Sequence, residues 1–346
     1  MMVKKSDWGK KRPTLADVAK AAGVSIATAS KALNGRTQVR AETRDRVIKA
    51  AEELSFRPNA LAQQLQRGRS GAIGLVTHDL EGRFSIPILM GAEDEAGTGE
   101  LSVLLCDARG DNLRERYHVQ ALLGRNVDGL IIVGARPDVR PSLGGLPVPV
   151  VYAYAPSDDP EDMSQVSDNF EAGGLVAKHL ISRGRRRIAI VSGDETYGAA
   201  GERVAGAMAA MQEAGLQPVH DEPFYGTWDE AWGRSAVEAI LSMHPEVDAV
   251  ICGSDQIARG ALDMLHEHER RVPEDVAVTG HDNWEVIVAH SRPRLTSVDM
   301  NLEALGRRAA ARLFAAIEER PSPGVEKVSP RIVERDSTRG YHKVSE

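Results

Sequence analysis

Residues 25–31 carry short polar and basic side chains on a segment that the sequence predicts to be a helix following a tight turn. Ser25 is suited to cap this helix, and its outward face carries Ala27, Thr28 and Lys31. Hydroxyl and ammonium groups can bind phosphate oxygens, and small side chains allow close approach. Such a helix can enter the major groove of DNA with its N-terminus first. Taken alone, the same alanines could simply pack a helical hairpin.

Two more helices are predicted to position that segment. Thr14 and Asp17 have the spacing of a capping box at the start of the first helix, and Ala22-Gly23-Val24 forms the turn. Residues 41–55 form the third helix, with a predicted apolar face of Val47, Ile48, Ala51 and Leu54. Together the three helices predict a core that contains Leu15, Val18, Val24 and Leu33.

Charge is distributed unevenly along the 346 residues. The first 70 residues contain 15 lysines and arginines against six acidic residues, whereas the whole chain carries a net charge of −7. A basic end joined to an acidic body is typical of a protein that binds a polyanion with one end only. Two cysteines far apart in apolar runs, Cys106 and Cys252, indicate buried thiols. With no apolar run of membrane-spanning length and no stretch resembling a signal peptide, we expect a cytoplasmic protein.

The segment ALAQQLQRG (60–68) follows Phe56-Arg57-Pro58-Asn59, where the proline ends the preceding helix. Asn59 could cap a new helix, but the segment is too short to be helical alone in water. We therefore expect it to be a linker that becomes ordered when something packs against it.

From Ala72 onwards, apolar strands alternate with helices. Strands are predicted at 72–77, 102–106, 129–133, 148–154, 187–191, 249–252, 276–280 and 331–335. Helices are predicted at 87–97, 112–124, 170–183, 202–214, 229–242, 255–268 and 301–319. Near-continuously apolar strands indicate parallel sheets covered on both faces, here arranged as two similar lobes with the chain crossing between them more than once.

Motifs of catalysis and cofactor binding do not occur. The chain has no P-loop, no GxSxG elbow, no GxGxxG after a strand and no metal-ligand spacing, so we expect neither an enzyme nor a cofactor. His266 and His268 are two residues apart on a predicted helix and do not face each other. Arg185-Arg186-Arg187 is interpreted as a solvated turn before a strand.

Longer motifs identify the chain as a member of a known family. TLADVAKAAGVSIATASKALNG, VRAETRDRVIKAAEEL and FRPNALAQQL closely resemble the DNA-binding and hinge region of LacI-type bacterial transcription regulators. HLISRGRRRIAIVSG, ERVAGAMAAMQEAGL, SDQIARGALDML and RVPEDVAVTGHDN resemble their effector-binding region. The resemblance covers almost the whole chain in the expected order.

This resemblance implies a fold and its boundaries. We expect an all-α helix-turn-helix domain (1–58), a hinge helix (59–70) and a periplasmic-binding-protein-like α/β domain with parallel sheets (71–346). Lobe 1 would comprise about 71–168 and 299–327, and lobe 2 about 169–298 and 328–341. The family further implies a homodimer on a pseudo-palindromic operator.

DNA-contacting positions follow from the same resemblance. In the first domain it implies contacts by Thr14, Ser25, Ile26, Ala27, Thr28, Ser30, Lys31 and Asn34. In the hinge it implies Asn59, Ala62, Gln63 and Leu65, with the paired leucines wedged into the minor groove. Ile26 and Ala27 can contact a thymine methyl group but cannot hydrogen-bond a base. Ala29 replaces a larger aliphatic residue, which we interpret as a change in core packing.

Effector-binding positions are implied at the strand ends that face the cleft between the lobes. They are Asp79, Arg83, Phe84, Arg203, Trp228, Ser254, Asp255, His281 and Asp282. Carboxylates, guanidinium groups and aromatic faces suit a polyol. Ser254 and His281 depart from the residues usual in the family, so the effector of a relative cannot be carried over.

The sequence therefore predicts a repressor whose operator affinity is switched by a small effector, most simply a sugar that releases DNA. Two alternatives stay open. One is a regulator that binds DNA only with its effector, a nucleobase or sugar phosphate. The other is an exported solute-binding protein of the same two-lobed fold.

Overall fold

The computed structural model describes residues 13–33, 38–56, 69–79, 83–97, 101–220 and 222–339. The chain divides into two compact units, Met1–Ser70 and Gly71–Glu346. Five residues expected to contact DNA lie outside the described residues: Asn34, Asn59, Ala62, Gln63 and Leu65.

The first unit contains the three predicted helices, α1 (Leu15–Ala21), α2 (Ile26–Leu33) and α3 (Ala41–Glu53). The capping box at Thr14 and Asp17 is confirmed, and Gly23 takes a left-handed φ of 65° in the turn. Val18, Ala29 and Val47 are fully buried, with Leu15, Val24 and Leu33 packed against the same core. Ile48 was wrongly placed on the core face; it is 40% exposed, because Ala50 and Ala51 face inward with Val47.

Two sheets form the second unit. The first contains β1 (Ala72–Thr77), β2 (Ser102–Asp107), β3 (Leu130–Val133), β4 (Val150–Ala153), β5 (Met163–Ser167) and β10 (Gly324–Val328). Its order is β10-β5-β4-β3-β1-β2, and every pairing is parallel. The second contains β6 (Ile188–Val191), β7 (Ala249–Cys252), β8 (Ala277–His281), β9 (Thr296–Asp299) and β11 (Arg331–Val333). Its order is β11-β9-β8-β7-β6, with β11 antiparallel at the edge.

Helices cover both faces of each sheet. Those of the first lobe are α4 (Ser85–Ala96), α5 (Asn112–Leu123) and α11 (Leu302–Ile317). Those of the second are α6 (Asn169–Ser182), α7 (Gly198–Glu213), α8 (Glu230–Met243), α9 (Asp255–Glu267) and the short α10 (Glu285–Val288). Separate apolar clusters fill the two sides of each sheet, as the near-continuously apolar strands predict. The chain crosses between the lobes after β5, β9 and β10.

Three strands were not predicted: β5, β9 and β10. Their sequences, MSQVS, TSVD and GVEKV, contain few apolar residues. In β5, Ser164 and Gln165 are nevertheless buried, because the Ser164 hydroxyl accepts from the Ser157 amide and the Gln165 amide donates to the Glu326 carbonyl. Polar side chains with such partners conceal a buried strand from any pattern of hydrophobicity.

Candidate functional site

The exposed face of α2 carries the side chains that the sequence assigns to DNA. Ser25, Ala27 and Lys31 are exposed, and Ile26 is 54% exposed although it is apolar. Thr28 and Ser30 are half-buried. This face therefore combines an unusual exposed aliphatic group with hydroxyls and a cation.

Two hydroxyls of this region also hold the helix ends. The Ser25 hydroxyl accepts from the Thr28 amide at 3.1 Å, which caps α2. Thr14 is exposed, and its hydroxyl donates to a carboxylate oxygen of Asp17 at 2.7 Å. Ala29 is buried in the core with no exposed surface, in agreement with a packing interpretation.

A cavity of about 290 Å³ lies between the two lobes of the second unit, at the carboxyl ends of β1, β4 and β8. Six of the nine predicted effector residues line it: Asp79, Arg83, Phe84, Arg203, Trp228 and Asp282. Three further lining residues, Tyr154, Tyr197 and Trp284, were not predicted. Tyr154 ends the strand motif VPVVYAY and Trp284 lies two residues beyond Asp282, so strand-end position was a usable signal for both.

Arg83 joins the two lobes across this cavity. Its guanidinium donates to the Asp282 carboxylate at 2.5 Å and to the Gln256 side-chain oxygen at 3.1 Å. The guanidinium carbon also lies 4.8 Å from the Phe84 ring centre and 5.0 Å from that of Trp284. Burial raises the pKa of Asp282, whereas the positive charges of Arg83 and Arg203 act in the opposite direction.

Aromatic side chains surround the rest of the cavity. Phe84 stacks on Tyr154 with ring centres 5.3 Å apart, and Tyr197 meets Trp228 edge to face at 5.4 Å. The indole nitrogen of Trp228 is buried without a hydrogen-bond partner among the described residues. Burial raises the pKa of Tyr154 well above its ordinary value, so its hydroxyl keeps its proton at neutral pH.

Arg203 reaches the cavity from α7 but is engaged mainly within its own lobe. It donates to the Asn169 side-chain oxygen at 3.0 Å and to the Gly253 carbonyl at 2.9 Å. Only 9% of the residue is exposed. A ligand would therefore meet a guanidinium whose orientation is already fixed.

Ser254, Asp255 and His281 lie behind the cavity wall, which corrects the prediction that they line it. Ser254 caps α9 by accepting from the Ile257 amide. Asp255 accepts from the Trp284 amide at 2.6 Å and from the Ser297 hydroxyl at 2.5 Å. Its carboxylate thereby holds the turn at 282–284, where Asp282 has a φ of 100°.

The buried groups behind the wall have shifted pKa values. Burial raises the pKa of Asp255 well above its ordinary value, and the nearby negative charge of Asp282 raises it further. Burial lowers the pKa of His281, and the positive charges of Arg203 and Arg83 act in the same direction. His281 is therefore a neutral imidazole at physiological pH.

In the described part of the chain, no cluster of three histidine, cysteine or acidic side chains could hold a metal ion. Among the same residues no helix is long and apolar enough to cross a membrane.

Comparisons with known proteins agree with both units. Residues 14–59 match the family model of bacterial regulatory proteins of the lacI family, and residues 177–338 match the periplasmic binding protein-like domain. The HTH-type transcriptional repressor PurR of Pasteurella multocida (strain Pm70) is 32% identical over 332 residues, which cover 94% of this chain and 98% of that relative.

Two solved structures are similar over almost the whole chain. The transcriptional regulator CelR in complex with cellobiose has a TM-score of 0.63 and 30% identity, covering 94% of this chain and 100% of that one. The lac repressor dimer bound to operator and the anti-inducer ONPF has a TM-score of 0.72 and 27% identity, covering 95% and 100%.

A helix-turn-helix unit joined to a two-lobed α/β unit with a cavity between the lobes defines a ligand-responsive DNA-binding regulator. The chain belongs to the lacI family of bacterial regulatory proteins. Regulators of this family act as dimers on operator DNA and respond to a small-molecule effector. The predicted class of protein and its fold are thus confirmed.

Proposed function

We propose that the protein is a repressor that releases its operator when a sugar binds between the lobes. One observation carries the choice of a sugar. The chain has only 5 Phe, 6 Tyr and 4 Trp, yet Phe84, Tyr154, Tyr197, Trp228 and Trp284 all line one cavity. Aromatic rings stack on the apolar faces of sugars, while the neighbouring carboxylates and guanidinium groups can bind vicinal hydroxyls.

In this proposal the effector residues are those of the cavity wall, and Ser254, Asp255 and His281 position them from behind. Similarity to the CelR–cellobiose complex supports a saccharide ligand. Arg83 and Asp282 are hydrogen-bonded to each other across the cleft. A sugar that binds both side chains would replace this bond and thereby favour a different arrangement of the lobes. The coupling to DNA can be no larger than the difference in the sugar's affinity for the two arrangements.

At the DNA end, Ile26 and Ala27 would contact thymine methyl groups, and Thr14, Ser25, Thr28, Ser30, Lys31 and Asn34 would hold phosphates or base edges. The hinge residues Asn59, Ala62, Gln63 and Leu65 would contact the minor groove at the centre of the operator. The protein would act in the cytoplasm and would catalyse no reaction.

The test uses the full-length protein in two steps. A thermal-shift screen against monosaccharides, oligosaccharides, nucleobases and sugar phosphates identifies the ligand, which we expect to be a saccharide. A mobility-shift titration with DNA from the protein's own promoter region then measures operator affinity with and without that ligand. We expect free protein to bind and the saccharide to weaken binding by about tenfold or more.

Two matched variants test whether the effect of the saccharide on operator affinity depends on the cavity. Asp282→Asn removes the buried charge that binds Arg83, so the saccharide should no longer change the operator affinity of this variant. Asp94→Asn is the control, because Asp94 is an exposed residue that pairs with Arg307 and does not line the cavity. If the protein binds its operator only when the ligand is added, the corepressor alternative is correct. If operator affinity responds only to nucleobases, the proposal of a sugar effector is wrong.

A further inference from the structure

A second, larger cavity of about 560 Å³ adjoins the first at the same edge of the lobe 1 sheet. It contacts residues that follow β1, β2, β3 and β4, together with Thr196 of lobe 2. We call the 290 Å³ cavity the aromatic chamber and this one the polar chamber. No aromatic side chain of Phe, Tyr or Trp lines the polar chamber in the described part of the chain.

Residues that are neighbours in the chain line the two chambers. His78, Ala155 and Thr196 line the polar chamber, and the residues directly bonded to them, Asp79, Tyr154 and Tyr197, line the aromatic chamber. The ends of β1 and β4 and the turn before α7 therefore each contribute one residue to each chamber. The two chambers therefore lie next to each other at the carboxyl ends of the lobe 1 strands.

Arg136 and Tyr197 form the boundary between the compartments. The Arg136 guanidinium carbon lies 4.2 Å from the Tyr197 ring centre, with Arg136 on the polar side and Tyr197 on the aromatic side. Arg136 is 46% exposed at its side chain and pairs with Asp138 at 2.9 Å. Because the pair is partly solvated, little free energy holds Arg136 in this position, and its side chain can turn aside.

The far wall of the polar chamber is rigid. Arg140 binds both carboxylate oxygens of Glu115, at 2.5 and 2.7 Å, and Glu115 also contacts His78 at 2.6 Å. His78 and Glu115 are both buried. Around this fixed network stand the more exposed Asn112, Arg116 and Val139. Amide, hydroxyl and guanidinium groups on a rigid frame suit a ligand rich in hydroxyls.

We propose that the two chambers form one effector site and that the effector is a saccharide of at least two units. One sugar ring lies among the aromatic side chains, and the next unit extends past Arg136 into the polar chamber. The inference rests on the saccharide class proposed above and adds the length of the ligand and the residues that recognise the second unit.

The experiment compares ligands of increasing length on the full-length protein. Glucose, xylose, mannose and galactose are titrated calorimetrically beside their β-linked disaccharides and trisaccharides. We expect at least one disaccharide to bind about tenfold or more tightly than its monosaccharide, because the second unit gains contacts in the polar chamber.

Two tryptophan substitutions locate the second unit. Val139→Trp places a bulky ring on the polar-chamber wall and should remove the gain from the second unit while changing monosaccharide affinity by no more than about twofold. Val325→Trp is the matched control, since Val325 is likewise exposed, at 52% against 66% for Val139, and lies on the edge strand β10. Melting temperatures of both variants show whether each is folded.

The outcomes separate the two proposals. If a monosaccharide binds as tightly as its disaccharides, the two-chamber site is rejected. It is also rejected if the gain in affinity from the second unit persists in Val139→Trp. Neither result contradicts the proposal of a sugar-responsive repressor. Failure of every saccharide to bind, with a nucleobase or sugar phosphate binding instead, overturns the saccharide class and the two-chamber site with it.

Discussion

Individual side chains in the second unit form buried ionic groups with different roles. Arg83 and Asp282 link the lobes directly over the aromatic chamber, so any ligand there must compete with their hydrogen bond. Arg140, Glu115 and His78 instead form a network within lobe 1 that a ligand would leave intact. The first pair suits a switch, and the second suits a fixed wall.

Glu115 provides a pH-dependent test of that fixed wall. Burial alone would raise its pKa, but hydrogen bonds from Arg140 and His78 lower it from 4.5 to about 2. A depressed carboxyl pKa means that the folded protein binds protons less readily than the unfolded chain. The stabilisation is therefore complete above about pH 4.5 and is lost as the pH falls towards 2.

We predict that Glu115→Gln lowers the free energy of unfolding by about 3 kcal/mol at pH 7. The difference from the wild type should shrink as the pH falls below about 4.5. Urea unfolding at a series of pH values measures it. Glu303→Gln, at a surface position paired with Arg307, is the control and should stay within about 0.5 kcal/mol of the wild type. A difference that stays the same as the pH falls from 4.5 towards 2 would contradict the assignment to Glu115.

Among the described helices, three pairs cross at a point where each helix contributes a glycine that faces the backbone of the other. Gly91 and Gly306 join α4 to α11, Gly173 and Gly206 join α6 to α7, and Gly233 and Gly260 join α8 to α9. At each position an added methyl group would collide with a backbone carbonyl of the partner helix. The helices therefore pack backbone against backbone, which leaves them little freedom to shift. At the α6–α7 crossing, the carbonyl that Gly173 faces belongs to Arg203.

That crossing couples helix packing to the effector site. We predict that Gly173→Ala destabilises the protein by about 1–3 kcal/mol and weakens effector binding, because the two helices must separate and carry Arg203 with them. Denaturant unfolding and calorimetric titration measure the two effects.

Gly201→Ala is the matched control for this substitution. Gly201 also lies in α7, but an added methyl group would meet nothing within 4 Å, so alanine should stabilise the helix by about 0.5–1 kcal/mol. Equal effects of the two substitutions on effector affinity would refute the coupling through the crossing.

For the second unit as a whole, contacts between the lobes occur on two sides of the aromatic chamber. On one side Arg83 meets Asp282 and Gln256. On the other, the lobe 1 loop after β3 reaches α7 of lobe 2, where the Asp138 carboxylate accepts from the Gly198 amide at 2.8 Å. Asp138 thus supplies, from another lobe, the acceptor that a helix N-terminus usually finds in its own cap residue.

We predict that Asp138→Ala frees the start of α7 and loosens the lobe arrangement. Hydrogen exchange of a peptide that spans residues 196–200 should become about tenfold faster, because the Gly198 amide loses its acceptor. Effector affinity should fall by about threefold to tenfold as the competent arrangement becomes less populated.

Asp111→Ala is the control for the effect between lobes. Asp111 caps α5 within lobe 1 by accepting from the Leu113 and Arg114 amides. Its loss should cost about 1 kcal/mol of unfolding free energy without changing exchange at 196–200. If hydrogen exchange at 196–200 is unchanged in Asp138→Ala, the contact between Asp138 and Gly198 does not stabilise the start of α7.

Strand–helix alternation, helix boundaries and the helix-turn-helix unit could be predicted from the sequence because each depends on local periodicity and capping. The strands at 72–77 and 249–252 agree with the structure to the residue. Prediction failed for β5 and β9, where buried polar side chains bond to partners far away in the chain, and for β10, an edge strand whose central residues are exposed. Long-range hydrogen bonds leave no local signal.

The family, the class of regulator and six of the residues that surround the aromatic chamber could be derived from the order of the amino acids alone. Only the tertiary structure placed Tyr154, Tyr197 and Trp284 beside them and moved Ser254, Asp255 and His281 behind the wall. It also revealed the polar chamber and the contact between Asp138 and α7. The physical reason is that a motif records which residues lie near a strand end. Which of their side chains reach the cavity depends on how the lobes pack together, and that packing is set by contacts between residues distant in sequence.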